Sequence, residues 1–215
     1  MGDITLNGTC AVVGNSPIIL STSHGEEIDS HDHVIRCNKA PTKGIEKHTG
    51  KRTTIRFINI WIAKTILDTN SLPGKFTRKR SNWKNLNLHD ILQDEMLILK
   101  DSEPSCDEVK RKIGNKHRVD SLTSEYLSEM KKLSNSTNPT VGFCAVVWAS
   151  RIFNTVKCYG FDFYAKSEPK RIDYHYFEDV CGYNGHKWHN FSREKSYLYS
   201  LSNVTFVDGI KPFDG

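Results

Sequence analysis

The sequence contains no apolar run approaching the ~20 residues that a membrane-spanning helix needs. Its opening, Met1-Gly2-Asp3-Ile4-Thr5, has neither the basic start nor the apolar stretch of a secretory leader, so a soluble protein is expected. None of its six cysteines stands in a C-x-x-C pair, which argues against a structural zinc site. There is no Asp-x-Asp pair, Arg-rich arm or basic face interleaved with aromatics, and the last two absences speak against a nucleic-acid partner. Internal repeats, low-complexity stretches and linker-like segments are also missing, so residues 1–215 are read as a single domain.

The 215 residues are enough to bury a substantial core, and 10 Phe, 8 Tyr and 4 Trp exclude disorder as a description of the whole. A net charge of +5 suits an anionic ligand. The densest basic run, Lys75 to Lys84 (KFTRKRSNWK), reads first as a solvated loop and second as a peripheral contact with a phospholipid surface. Cys10, Cys37, Cys144 and Cys158 lie in apolar runs, as buried thiols do.

Short apolar runs alternate with helix-like stretches, a pattern that predicts an α/β fold. Strands are expected at Cys10–Gly14, His33–Cys37, Thr54–Ile58, Met96–Leu99, Thr155–Phe161 and Thr205–Val207. Helices are expected at Ile60–Asp68, Ser121–Leu133, Pro139–Phe153 and Phe191–Leu201. In the third of these, Pro139 marks the start, and Ala145, Val146, Ala149 and Ile152 form an apolar face. Asp162 to Trp188 is a polar, aromatic-rich connection without a period, and long connections of that kind are usually functional.

Open α/β sheets bind ligands where strands end in small, polar turns. Gly14-Asn15-Ser16 is one such place. Thr140 with Gly142 is another, at a helix start whose free N–H groups favour phosphate. The acidic, His-rich stretch Glu26 to His33 lacks metal-ligand spacing, and Asp29 and Asp32 are read there as structural.

Four ordered segments then narrow the reading. Cys10 to Thr54 includes IDSHDHVIRCNKAP at Ile28 to Pro41. Pro139 to Phe161 reads PTVGFCAVVWASRIFNTVKCYGF. His175-Tyr176-Phe177-Glu178 and His189-Asn190-Phe191-Ser192-Arg193-Glu194 follow. In order and spacing these resemble the long, short, third and very short motifs of the sialyltransferases, glycosyltransferase family 29; Ile60 to Asn138 has no such support. The resemblance implies a single-domain GT-A-like variant fold with a Rossmann-like central sheet flanked by helices. It also implies a CMP-sialic acid donor used as co-substrate, a glycan or glycolipid acceptor, inversion, and no cofactor. Carried over by position, Asn15 and Asn38 would meet the donor's phosphate and ribose, and Thr140, Gly142, Gly160 and Phe161 would line the cytidine pocket. His175 would stabilise the departing phosphate, and His189 would deprotonate the acceptor hydroxyl.

The chemistry asks for the same residue types. A histidine suits a general base near neutral pH. Fixed donors such as Asn, helix N–H groups and His stabilise a monophosphate that gains charge as it leaves. The missing Asp-x-Asp agrees with a metal-independent reaction. Glu194 reads as an orienting or helix-start residue. Two alternatives stay open: a CMP-Kdo-type transferase with the same mechanism, and a non-catalytic nucleotide- or glycan-binding module.

In two respects the chain departs from the animal members. The family pairs the cysteine that opens the long motif with one inside the short motif, but here Phe153 occupies the partner position opposite Cys10, leaving Cys144 or Cys158 as substitutes. A glycosylation sequon at Asn190 adjoins the expected base. Together these point to a cytoplasmic protein, membrane-peripheral if the basic run Lys75 to Lys84 makes its contact, with the Golgi lumen as the alternative for a trimmed catalytic domain.

Overall fold

In Thr9–Val13 (β1) the residues from Cys10 to Val13 are apolar without alternation and all buried, the signature of a central parallel strand covered on both sides. Around it a computed structural model of the protein describes residues 7–60, 62–63, 94–100, 105–114, 117–163, 175–177 and 188–207. The other strands are His33–Cys37 (β2), Ile55–Ile58 (β3), Met96–Leu99 (β4), Val119–Ser121 (β5), Thr155–Tyr159 (β6) and Val204–Phe206 (β7). They form a seven-stranded sheet in the order β5-β4-β3-β2-β1-β6-β7, and every pairing is parallel. The α/β expectation therefore holds.

Chain order runs outward from β1 to β5 on one side, then restarts beyond β1 with β6 and β7. The reversal lies between β1 and β6, whose register pairs Thr9 with Thr155 and Val13 with Tyr159. In open α/β sheets the crevice beyond the carboxyl ends of the strands at such a point receives ligands.

Alternate residues of each strand face opposite sides. Cys10, Val12, Ile35, Cys37, Ile55, Phe57, Ile98, Val156 and Cys158 share one core with the helix Val141–Ser150. The shorter helices Gly25–Ser30 (α1) and Glu46–Thr49 (α2), and Ser105–Ile113 (α3), belong to the opposite side, as do Ala11, Val13, Val34, Leu97 and Leu99. Ser124–Ser134 (α4) precedes Val141–Ser150 (α5), and Phe191–Tyr199 (α6) packs on both.

Several elements differ from the expectation. α5 is buried on all sides rather than on one apolar face, as Val141, Phe143, Cys144, Val147 and Trp148 join Ala145, Val146 and Ala149 inside. Its N-cap is Thr140, whose hydroxyl accepts from the Phe143 N–H, so Pro139 precedes the cap instead of occupying the first turn. α4 begins at Ser124 after a Thr123 cap, because Val119–Ser121 pairs with β4 as a strand. The helix expected at Ile60–Asp68 lies largely outside the described residues, and the basic run Lys75–Lys84 lies wholly outside them.

Much of the long-motif segment holds the sheet together. The Asp29 carboxylate accepts from the N–H groups of Lys51 and Arg52, and Asp32 accepts from the N–H and hydroxyl of Thr9. Arg36, wholly buried, donates to the carbonyls of Thr49 and Arg52 and to the Thr53 hydroxyl. Asp29 and Asp32 are thus structural, as expected.

Candidate active site

The two turns singled out in the sequence meet at the switch point. Gly14 leaves β1 with its N–H on the Tyr159 carbonyl, and the Ser16 N–H follows onto the Gly160 carbonyl. Gly160 has φ +69, open to glycine and disfavoured for other residues. The glycines touch through backbone: a Cβ on Gly14 would stand 2.5 Å from the Gly160 oxygen and 2.9 Å from the Phe161 ring. A Cβ on Gly142, in the first turn of α5, would stand 3.1 Å from the same ring. Phe161 thus sits between the β1 turn and the α5 N-terminus, backed by Phe163 and Phe206.

Asn15 extends this group towards β2. Its amide nitrogen donates to the Cys37 carbonyl at 3.3 Å, while its side-chain oxygen is buried with no hydrogen-bond partner among the described residues. Asn38 takes φ +54 at the end of β2. Its carboxamide oxygen accepts from the Asn59 N–H, and its carbonyl accepts from Arg56. Arg56 is held in turn by the buried Glu95 at 2.7 Å. The Tyr176 N–H donates to the Asn15 carbonyl and its hydroxyl to the Pro41 carbonyl. His175 is therefore anchored beside Asn15, half-buried, with its ring stacked on Phe177.

A second group surrounds His189. Its Nδ1 lies 2.5 Å from the Asn138 carbonyl oxygen. A carbonyl only accepts, so Nδ1 carries the proton, and in the neutral ring Nε2 is left as the base. Burial lowers the pKa of His189, the hydrogen bond to Asn138 raises it, and the Lys100 charge lowers it further; the net direction is down. The neutral, proton-accepting form is thereby favoured at neutral pH.

Glu194, one turn into α6, is buried. Its two oxygens accept from the Thr140 N–H at 2.8 Å and the Thr140 hydroxyl at 2.6 Å. This clamp ties the start of α6, just after His189, to the start of α5. Burial pushes the Glu194 carboxyl up to about 7, against the pull of both Thr140 bonds and of Lys100. The hydroxyl of Thr140 is thus spent on Glu194 and Phe143, and the donors left open in the first turn of α5 are backbone N–H groups. Asn190 caps α6, accepting from the Arg193 N–H, while its Nδ2 faces the Asn135 carbonyl at 3.5 Å. Lys100, directly after β4, donates to the Asn138 carboxamide oxygen at 2.8 Å and the Pro139 carbonyl at 3.1 Å. Nothing in the sequence marks it.

Asn15, Asn38, Gly142, Gly160, Phe161 and His175 are thus gathered at one end of the sheet. Thr140 links them to His189. The model of the family described as glycosyltransferase family 29 (sialyltransferase) matches residues 6–205. The chain belongs to the sialyltransferases.

This sialyltransferase chain is similar to the bovine beta-galactoside alpha-2,6-sialyltransferase 2, at 61% identity over 51 residues, which cover 24% of the chain and 10% of that relative. It is also similar to the mouse CMP-N-acetylneuraminate-beta-galactosamide-alpha-2,3-sialyltransferase 1, at 62% over 45 residues, 21% of the chain and 13% of the relative. Its matches therefore span only about a tenth of these curated relatives' length. In fold it resembles the crystal structure of a mammalian sialyltransferase, with TM-score 0.62 and 23% identity over 94% of this chain and 69% of that one. A mammalian sialyltransferase in complex with Gal-beta-1-3GalNAc-ortho-nitrophenol gives 0.58 and 22%, with the same coverage. Among the described residues, no helix is long and apolar enough to cross a membrane.

Proposed function

We propose that this sialyltransferase chain moves sialic acid from CMP-sialic acid to a glycan hydroxyl with inversion, on a GT-A-like variant of the fold and without a metal ion. The observation that carries the reading is the Nδ1 hydrogen bond of His189 to Asn138, which leaves Nε2 to accept a proton. In the step proposed, the acceptor O–H gives its proton to Nε2 as its oxygen attacks the anomeric carbon. The bond from that carbon to the phosphate oxygen breaks, and its electron pair leaves with CMP. Attack from the face opposite the leaving group inverts the centre.

The phosphate that leaves gains negative charge, and fixed donors stabilise it without rearranging. The Asn15 and Asn38 carboxamides, the open N–H groups at the start of α5 and the His175 ring are assigned that role. Gly142, Gly160 and Phe161 are assigned to the cytidine pocket, where the small Gly142 lets the Phe161 ring lie close against the start of α5. Thr140 is assigned to the same pocket through its backbone position, since its hydroxyl is engaged by Glu194.

His189→Ala removes the base and little else. Transfer from CMP-sialic acid is expected to fall by about 10²- to 10⁴-fold, with CMP affinity by calorimetry near that of the parent. Retained transfer would remove His189 from the mechanism. Loss of CMP binding alongside retained transfer would overturn the whole assignment.

A further inference from the structure

Lys100 lies in the part of the chain that no motif covers, and by strand alternation it follows Ile98 onto the α5 side of the sheet. It is 5% exposed, unusual for a lysine. Its ammonium donates to the Asn138 carboxamide and the Pro139 carbonyl, and Asn138 is the residue whose main-chain carbonyl receives His189. We propose that Lys100 is a positioning residue for transfer, fixing the Asn138-Pro139 segment so that its carbonyl orients His189 with Nε2 towards the acceptor. The inference rests on His189 being the base.

The arrangement follows from strand order. β4 ends beside the entrance to α5, so a side chain one residue past β4 reaches the two residues before the Thr140 cap. A lysine there does two things that a neutral donor would not do together. Two charge-assisted hydrogen bonds hold a segment that lies outside the helices and strands. Its positive charge also adds to burial, the larger cause, in favouring the neutral His189 ring. The charged and titratable groups around His189 among the described residues are Lys100 beyond β4, Glu194 on α6, and Arg193, whose Nε donates to the Leu133 carbonyl. Glu194 also feels the Lys100 charge, but it is committed to Thr140.

Lys100→Met separates this role from scaffolding. Turnover is expected to fall about 10- to 100-fold, with the KM for the CMP donor within about threefold of the parent. The His189 ring, followed by NMR in histidine-labelled protein and assigned by its absence from His189→Ala, should depart from its parental titration, since the Asn138 hydrogen bond and the Lys100 charge both act on it. In the His189→Ala background, Lys100→Met should change the residual rate by less than about twofold, since a residue acting through His189 has nothing left to act on. An equal loss in both backgrounds, or an unmoved titration with parental turnover, overturns the proposal. Where Lys100→Met does not fold, Lys100→Arg carries the test. A parental titration and a turnover loss confined to the His189 background support it, and a loss persisting with His189→Ala overturns it. Failure of the base assignment shows separately, as transfer retained by His189→Ala itself.

Discussion

Glu194 is a carboxyl whose surroundings work against its charge. It is 2% exposed and accepts two hydrogen bonds from Thr140, yet burial outweighs them and lifts its pKa from 4.5 to about 7. Between those values the folded protein keeps a proton that the unfolded chain releases. The stability this carboxyl contributes is therefore fully present below pH 4.5 and is lost as pH rises through about 7. The interval from 4.5 to about 7 corresponds to roughly 3 kcal/mol. Glu194→Gln keeps an oxygen for the Thr140 N–H and an N–H₂ for its hydroxyl, but it does not titrate. Urea unfolding from pH 5 to 8 should therefore show the parent losing stability relative to Glu194→Gln. A parent that gains relative to the variant over that range would show that the Thr140 bonds hold the carboxylate ionised. The residue reads from sequence as an orienting or helix-start group. Both parts hold: Glu194 stands in the first turn of α6, and its carboxyl ties that turn to the start of α5.

Among the elements, the decisive contact is the backbone approach of the β1 turn to the β6 turn. A methyl group on Gly14 would meet the Gly160 carbonyl at 2.5 Å, and neither strand end can retreat without breaking the Gly14 N–H to Tyr159 carbonyl bond. Gly14→Ala should therefore cost about 1–3 kcal/mol in urea unfolding and weaken CMP binding, because the displaced turn carries Asn15. Parental stability in this variant would mean that the two turns are not in contact. The β1 turn was legible because a continuous apolar strand ending in Gly-Asn-Ser is a local signal. β2 and β4 were read with their observed bounds for the same reason. α1 was not legible: Gly25–Ser30 offers one apolar residue, Ile28, and no period. It stands because Ile28 is buried and Gly25 lies against the Glu46 carbonyl of α2, contacts that exist only in the fold. β5 has three half-buried residues, and its strand character comes from pairing with β4. The site divides the same way. Its candidate histidines and asparagines are legible from four motifs, whereas Lys100 acquires meaning only once strand order sets the end of β4 beside Asn138. Phe161 was named for the pocket, but its place between Gly14 and Gly142 follows from the parallel pairing of β1 and β6.

At the scale of the molecule, the sheet order concentrates cysteines in one core without crosslinking them. Cys10 on β1, Cys37 on β2, Cys158 on β6 and Cys144 on α5 face the same side, and all four are buried thiols. The residue at the family's partner position for Cys10 is Phe153, 3% exposed, with its ring 6.1 Å from that of Trp148 and 4.8 Å from that of His33. Neither Cys144 nor Cys158 takes over the pairing. Attachment of α5 to the centre of the sheet therefore rests on packing, and the fold around the switch point should be indifferent to reductant. Burial raises the thiols of Cys10, Cys37 and Cys158, Cys37 to about 12, so the reactive thiolate is scarce at neutral pH. Two results are expected. Dithiothreitol should leave the melting temperature unchanged. Brief iodoacetamide treatment of the native protein should leave the peptides carrying these four residues unmodified, with all four labelled after denaturation in urea. A melting temperature lowered by dithiothreitol, together with a disulfide-linked peptide that carries Cys10, would show that the covalent link persists. Labelling of Cys10 or Cys158 in the native state would mean that β1 and β6 separate readily, and with them the turns that bring Asn15, Gly160 and Phe161 together.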